Sequence, residues 1–347
     1  MKTDREKHGL RGPARIVHVE KANFVEQDGQ IAEKPWYSHT TTFNQDGWLT
    51  EQINRNPDGS EWRIVNDYSD SCTLLATRIY NHLGVLSSEA GYTYDDEGRL
   101  VAQQHISQDG KETTPTTYVY DSGGEKIKIQ EFDFSGMTNV SIAIEGTYTS
   151  ISGDDVKRIE TRYDDRGEAV DVRAFNTAGS LVSRVEITRD ARGNSLEETH
   201  YAGDVVPLGP CASDSCSAEE MAALTEEQKA EIAKELARLF PPGTAMSKNT
   251  HRYDMDGKLI ESKFTMMGME TDHETDRQTF AYDEAGNKSE EVSYREDGTL
   301  RHKVVFSREY DEHGNWIKEL VSAALNRGPE FELLTSANVT RRIITYW

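Results

Sequence analysis

Long apolar runs and cysteines are scarce in this 347-residue sequence, and its 39 basic residues are outnumbered by 61 acidic ones. No run of about eighteen apolar residues occurs, so no transmembrane span is expected. The opening stretch, MKTDREKHGLRGPAR, lacks the apolar segment of a secretory signal. Three cysteines do not make a disulfide framework. The formal net charge of −22 repels phosphate backbones and anionic lipids, which excludes nucleic acid from the expected partners.

The short motifs of common catalytic and cofactor sites are also absent. The sequence has no HExxH zinc motif, no GxSxG nucleophile elbow and no glycine-rich phosphate loop. Its 10 histidines are scattered, and 61 acidic residues make paired carboxylates too frequent for one pair to be nominated. We therefore expect a protein that is not an enzyme, and we assign no catalytic, cofactor-binding or metal-binding residue.

Aspartate-rich turns such as DMDG and DDEG superficially resemble calcium loops. Ca²⁺ takes six to eight oxygen ligands, whereas a four-residue turn supplies about three. We interpret these stretches as structural turns, with a few weak calcium sites as the alternative. His313, in YDEHGNW, occupies a variable turn position, and we interpret it as a solvated histidine.

Aromatic residues placed before glycine turns are abundant. The 15 Tyr, 10 Phe and 5 Trp argue against disorder. They recur in a motif of an aromatic residue, Asp or Asn, two variable residues and Gly. Its clear copies end at Gly47, Gly84, Gly98, Gly124, Gly136, Gly167, Gly179, Gly257, Gly286 and Gly314. Looser copies end at Gly29, Gly59, Gly110, Gly193 and Gly298.

The spacing of the motif predicts hairpins. Gly98, Gly110 and Gly124 are 12 and 14 residues apart, which leaves about eight to ten residues per strand. Asp or Asn begins the turn by hydrogen-bonding the backbone, and Gly takes the left-handed conformation of a type I turn with a bulge. Apolar and polar residues alternate between turns. The predicted fold is all-β, a long antiparallel meander of β-hairpins with one small helical insertion.

The stretches YDDEGRL, YDMDGKLIE, YDEAGNKSEEVSY and YDEHGNWIKE resemble the tyrosine–aspartate repeats of the bacterial Rhs/YD-repeat family, over roughly residues 40–320. The resemblance implies a single elongated domain over residues 1–347 whose sheet curls or spirals, as in members that build β-cages around toxins. It also implies a secreted or envelope-associated location, with the cytoplasm as the alternative. Because no Asp-Pro dipeptide and no toxin domain occur, we expect a short stand-alone member.

The repeat register is interrupted between Gly59 and Gly84, where SDSC at residues 69–72 predicts a degenerate turn. Cys72 ends this turn. Cys211 and Cys216 could close a small loop elsewhere, which would leave Cys72 unpaired.

A larger interruption, residues 206–248, predicts a loop followed by a helix over 218–240. Capping boxes are formed by Ser217 with Glu220 and by Thr225 with Gln228. One helical face is apolar and consists of Ile232, Leu236, Leu239 and Phe240. We expect this face to pack on the sheet, with the gripping of a partner as the alternative.

These features predict a non-enzymatic binding or structural scaffold whose unknown partner is a polypeptide or a carbohydrate. One alternative is a shell or cradle for another polypeptide, related to the toxin cages. A second is an enzyme with a site at the helical insertion. The sequence does not specify the oligomeric state.

Overall fold

The computed structural model describes residues 3–27, 30–108, 110, 116–120, 126–131, 139–144, 147–152, 156–204, 225–267, 273–326 and 331–347. The helices within these ranges are α1 (Asp4–Lys7) and α2 (Glu226–Leu239). The strands are β1 (Ala14–Gln27), β2 (Gln30–Phe43), β3 (Leu49–Arg55), β4 (Glu61–Tyr68), β5 (Leu74–Tyr80), β6 (Leu86–Tyr94), β7 (Leu100–Ser107), β8 (Thr116–Tyr120), β9 (Lys126–Glu131), β10 (Asn139–Ile144), β11 (Thr147–Ser152), β12 (Val156–Tyr163), β13 (Ala169–Asn176), β14 (Leu181–Arg189), β15 (Ser195–Ala202), β16 (Ala245–Tyr253), β17 (Leu259–Met266), β18 (His273–Tyr282), β19 (Lys288–Tyr294), β20 (Leu300–Tyr310), β21 (Trp316–Asn326) and β22 (Phe331–Tyr346).

The expected curled or spiral open sheet is wrong, although the all-β, antiparallel part of the prediction is correct. All strands except β10 and β11 belong to one 20-stranded sheet. Strand β1 pairs antiparallel with β2 on one side and with β22 on the other. Because the first and last strands pair, the hydrogen bonding closes into a 20-strand antiparallel β-barrel with almost no helix. Closure removes the two free edges that a spiral sheet would leave unpaired.

The chain divides into two compact units. The first unit comprises Met1–Tyr94, Gln103–Glu112 and Gln278–Trp347, and the second comprises Asp95–Ala102 and Thr113–Arg277. In the first unit the paired strands run in the order β19, β20, β21, β22, β1, β2, β3, β4, β5, β6. In the second they run in the order β8, β9, β12, β13, β14, β15, β16, β17. The single elongated domain over residues 1–347 stays a prediction.

The motif glycines form turns of one geometry. Twelve of the fifteen lie in the described ranges, and each has a φ between 72° and 92° and donates its N–H to the carbonyl three residues earlier, at 2.8 to 3.1 Å. These twelve are Gly47, Gly59, Gly84, Gly98, Gly110, Gly167, Gly179, Gly193, Gly257, Gly286, Gly298 and Gly314. Gly29, Gly124 and Gly136 lie outside the described residues. The degenerate turn at residues 69–72 is also present: Cys72 takes the glycine position, with a φ of 61°.

The acidic residue that begins a turn binds the turn's own backbone. Asp311 Oδ1 accepts from the N–H groups of His313 and Asn315 at 3.0 and 2.9 Å. Asp164 Oδ1 does the same with the N–H groups of Arg166 and Glu168, at 3.0 and 2.9 Å. In both turns, therefore, a short acceptor side chain binds backbone N–H groups that would otherwise lack a partner.

The aromatic residue before the turn links it to an earlier turn. The hydroxyl of Tyr94 donates to the carbonyl of Leu74 at 2.7 Å, and the hydroxyl of Tyr120 donates to that of Leu100 at 3.0 Å. The accepting carbonyl lies 20 residues earlier in both cases. Each tyrosine hydroxyl thus provides a hydrogen bond to a carbonyl just after the earlier turn, which gives the hydroxyl group at this aromatic position a structural role.

Each unit has its own apolar cluster. The cluster of the second unit is aliphatic and consists of Val156, Ile159, Ala169, Val172, Ala174, Val185 and Ile187. The cluster of the first unit consists of Leu10, Ala14, Val17, Val19 and Phe43. Strand alternation accounts for members such as Val17 and Val19 on β1 and Val185 and Ile187 on β14, because every second side chain of a half-buried strand faces the same way.

Residues 3–13, here called the N-terminal segment, lie along the turns of the first unit. The Arg5 N–H donates to the carbonyl of Gly47 at 2.9 Å, and the Arg11 N–H donates to Asn315 Oδ1 at 2.6 Å. The Arg11 guanidinium donates to the carbonyl of Ala285 at 2.9 Å. The segment therefore ties together turns that are distant in sequence.

The second predicted capping box is present at the N-terminus of α2. The Thr225 N–H donates to Gln228 Oε1 at 2.8 Å, and the Gln228 N–H donates to Thr225 Oγ1 at 3.2 Å. Ser217, Glu220, Cys211 and Cys216, together with the side chains of Leu236 and Leu239, lie outside the described part of the chain. Ile232 is exposed and Phe240 is half-buried. Neither described helix has the length and apolar character needed to cross a membrane.

Candidate binding site

The turn carboxylates and His313 make local contacts within and next to the turns. In the described ranges, no group of three or more His, Cys, Asp or Glu side chains is placed to hold a metal ion. His313 is exposed, and its ring contacts that of Tyr346 with centroids 4.1 Å apart. The Asn194 side chain donates to Asp190, which lowers the pKa of this turn carboxyl. Such contacts stabilise the turns.

A cleft with exposed aromatic residues lies in the first unit, and sequence reasoning missed it. It has a volume of about 250 Å³ and takes its walls from β1, β2, β22 and the turn after β3. The residues that form it are Glu20, Lys21, Ala22, Glu33, Pro35, Trp36, Tyr37, Ser38, Arg55, Asn56, Pro57 and Arg341. This volume lies just below the range of about 300–1,000 Å³ for drug-sized ligands, so it suits a single sugar ring or amino-acid side chain.

A β-bulge places Trp36 in this aromatic cleft. In the pairing of β1 with β2, Lys21 faces Tyr37 and Ala22 faces Pro35, so Trp36 has no partner residue. Pro35 cannot donate to a strand ladder, and proline within sheets is found at edges and bulges. The extra residue redirects its side chain, which leaves Trp36 44% exposed.

Trp36, Tyr37 and Lys21 lie close together in the aromatic cleft, and Trp62 lies next to Tyr37. The Trp36 and Tyr37 ring centroids are 5.7 Å apart, and that of Trp62 is 6.5 Å from Tyr37. The Lys21 Nζ lies 5.8 Å from the Trp36 centroid and 5.6 Å from the Tyr37 centroid, within cation–π range. The Tyr37 hydroxyl donates to the buried Asn54 Oδ1 at 2.5 Å, which fixes the ring.

The rim of the aromatic cleft is polar and ordered by ion pairs. Arg341 donates two hydrogen bonds to the carboxylate of Glu33, at 2.7 and 2.8 Å. The Arg341 side chain thereby lowers the pKa of Glu33, so the carboxylate stays ionised. Arg55 donates to Glu61 at 2.8 and 3.2 Å. These pairs hold charged donors and acceptors around an apolar ring face.

Solved structures with some similarity to the chain include two porin-like proteins. One, from Bacteroides uniformis ATCC 8492, is 12% identical with a TM-score of 0.31, over 96% of this chain and 98% of that chain. The other, from Bacteroides vulgatus ATCC 8482, is 10% identical with a TM-score of 0.29, over 82% of this chain and 97% of that chain. The complex TcdB2-TccC3-Cdc42 is 11% identical with a TM-score of 0.23, over 93% of this chain and 18% of that chain.

No family model matches the chain, and no curated protein matches it. The TM-scores are too low for the solved structures to support an inference about fold or function. Membership of the Rhs/YD-repeat family stays a prediction.

One signal in the sequence does point to the aromatic cleft. EKPWYSH, residues 33–39, places Pro35 inside a long strand and two aromatics in succession, which breaks the alternation seen elsewhere. A proline in a strand signals an edge or a bulge, and bulges often redirect side chains at functional sites. The remaining residues of the cleft come from distant strands and carry no comparable local signal.

Proposed function

We propose that the protein is a non-enzymatic binding module that holds a saccharide in the aromatic cleft. The observation that carries this proposal is the bulged, exposed Trp36 beside the fixed ring of Tyr37, with paired charges at the rim. A sugar ring has apolar C–H faces and a rim of hydroxyl groups. The exposed indole can stack on the C–H face of the sugar, and the ordered donors and acceptors can hydrogen-bond to its hydroxyl groups.

The composition of the aromatic cleft favours a saccharide over a polypeptide. Lysine and glutamate are depleted in the cores of protein–protein interfaces. Here Glu20, Lys21 and Glu33 all contribute to the wall. Charged groups that are already paired, such as Glu33 with Arg341, can accept hydrogen bonds from hydroxyl groups without losing their partner.

A secreted or envelope-associated location belongs to the proposal and rests on the repeat resemblance alone, with the cytoplasm as the alternative. The cradle for another polypeptide and the enzyme at the insertion stay predictions. Residues 205–224, on the N-terminal side of α2, lie outside the described part of the chain.

The test is a panel of immobilised glycans probed with the purified protein, with hits measured by calorimetry. Trp36→Ala should weaken binding of a hit at least about tenfold, because it removes the stacking surface. Trp347→Ala is the matched control, since Trp347 is 49% exposed but does not form part of the aromatic cleft. We expect this variant to bind as the parent does.

Melting curves of both variants establish that the fold is kept. Absence of any glycan hit for the parent protein would contradict the saccharide proposal. Equal loss of binding in the two tryptophan variants would contradict the site. Binding of a polypeptide that depends on Trp36 would keep the cleft and replace the ligand class.

A further inference from the structure

A second, smaller cavity in the first unit lies next to the N-terminal segment. Its volume is about 30 Å³, and its walls include His8, Leu10, His39, Thr41, Phe43 and Arg342. The strand register explains why distant residues meet there. Val19 on β1 pairs with His39 on β2 and with Arg342 on β22, so these three side chains lie in one row across adjacent strands.

Three polar groups of this small cavity have no hydrogen-bonding partner within the described residues: Thr41 Oγ1, His39 Nδ1 and Arg342 Nε. Thr41 is 2% exposed, so its hydroxyl does not reach bulk water. A buried hydroxyl or guanidinium N–H without a partner costs free energy comparable to a lost hydrogen bond. Three such groups on one cavity indicate a shared acceptor.

The charge balance around Arg342 makes this acceptor an anion. Its guanidinium carbon lies 3.3 Å from the Trp316 ring centroid, and desolvation lowers its pKa to about 10. The nearby carboxylate of Glu319 opposes that shift, but it accepts from Arg308 at 2.6 Å. Among the described residues, no carboxylate forms an ion pair with Arg342.

We propose that the small cavity binds a small monovalent anion such as chloride, held by the Arg342 guanidinium, the Thr41 hydroxyl and the His39 ring N–H. About 10–15 Å³ holds one water molecule, so a cavity of about 30 Å³ accommodates a halide but not a phosphate ester or a sugar. Arg342 supplies the positive charge, and His39 donates when its proton is on Nδ1. The site is independent of the saccharide proposed for the aromatic cleft.

Thermal unfolding in sodium chloride and in sodium gluconate at equal ionic strength tests the proposal. Chloride should raise the melting temperature by several degrees, because a ligand that binds the folded state stabilises it by mass action. Equal ionic strength removes the general screening effect. Arg342→Met should abolish the chloride response. Arg15→Met is the control, because Arg15 also stacks on a tryptophan, Trp347 at 4.7 Å, but is exposed and lies outside the cavity.

Thr41→Val provides a second variant with the same side-chain shape, in case Arg342→Met does not fold. It should weaken the apparent chloride affinity about tenfold, because one hydrogen bond to a charged group is lost. Crystals grown in sodium bromide should show anomalous density beside Arg342. A chloride response that is absent in the parent, or equal in the parent and both cavity variants, would overturn the proposal. So would a bromide structure with water alone in the cavity.

Discussion

The two compact units share one pattern of strands and turns but differ in the side chains that they bury. In the second unit the apolar cluster is aliphatic, and Ile159 and Val172 have no exposed surface, although polar residues such as Asp171 and Thr199 are buried there as well. In the first unit, the walls of the small cavity hold His39, Thr41 and Arg342, whose Nδ1, Oγ1 and Nε atoms have no hydrogen-bonding partner among the described residues. A buried polar atom without a partner costs stability, and this cost is the basis for the anion proposed in the small cavity.

Two turns, one from each unit, also differ in what lies against the turn glycine. A β-carbon added at Gly314 in the first unit would lie 2.9 Å from Arg11 of the N-terminal segment. One added at Gly167 in the second unit would meet nothing within 4 Å. The N-terminal segment therefore covers the Gly314 turn, and it covers the Gly47 turn in the same way, whereas the Gly167 turn is open.

Removing a core side chain should have the largest effect. Ile159→Ala in the second unit should lower the free energy of unfolding by about 2–5 kcal/mol, because it leaves a cavity among aliphatic neighbours. Thr41→Val in the first unit should instead raise it by about 1 kcal/mol in chloride-free buffer, because it removes an unpartnered hydroxyl. Urea denaturation measures both. A similar decrease in the free energy of unfolding in both variants would contradict the proposed difference between the two cores.

Acid should weaken the first unit through His39. Burial, followed by the charges of Lys21, Arg342, His8 and His18, lowers its folded-state pKa from 6.5 to about 4. Between pH 6.5 and pH 4, His39 binds a proton in the unfolded chain but not in the folded protein. The contribution of neutral His39 to stability is therefore complete above pH 6.5 and is lost as the pH falls towards 4. The loss amounts to about 3 kcal/mol at most.

His39→Gln tests this pH dependence, because it removes the titrating group and keeps a polar side chain. Its free energy of unfolding, measured by urea titration from pH 7 to pH 4, should fall less steeply than that of the parent protein. Burial also lowers the pKa values of His200 and His251 in the second unit, so some slope remains. Parallel curves for parent and variant would show that His39 does not titrate in this range.

The covered and open turns should differ in their response to alanine. Gly167→Ala should cost about 1 kcal/mol, the strain of a β-carbon at positive φ. Gly314→Ala should cost about 2 kcal/mol, because the Arg11 guanidinium must also move and weaken its bond to the Ala285 carbonyl. Denaturation midpoints with an unchanged slope give the comparison. Equal costs would mean that the N-terminal segment adjusts freely.

The smallest expected effect is a gain of stability in the first unit. Cys72 is the residue other than glycine that has a positive φ among the described residues. Cys72→Gly should raise the free energy of unfolding by about 0.5–1 kcal/mol, since relief of strain exceeds the added flexibility of the unfolded chain. Thermal melting under reducing conditions measures it. A lower melting temperature would show that the thiol contact with Asp46 matters more than the backbone.

Local features were predictable because their causes are local. The turn glycines, the degenerate turn ending at Cys72 and the capping box of Thr225 with Gln228 each depend on residues within four positions. Closure of the sheet depends on β1 and β22, and no motif in ARIVHVEK or RRIITYW specifies their pairing. The small cavity likewise joins His39 to Arg342 across about 300 residues, which no local pattern reports.

Pairing between the first and last strands has a consequence for folding on the ribosome. Strand β1 can pair with β2 as soon as β2 is synthesised. The other edge of β1, where Val17 pairs with Ile344, stays unpaired until β22 is synthesised. At about 5–20 residues per second, this delay is on the order of tens of seconds. During that time the free edge of β1 could pair with another nascent chain. Glu20 and Lys21 place opposite charges in the middle of that edge, which discourages such pairing until the last strand arrives.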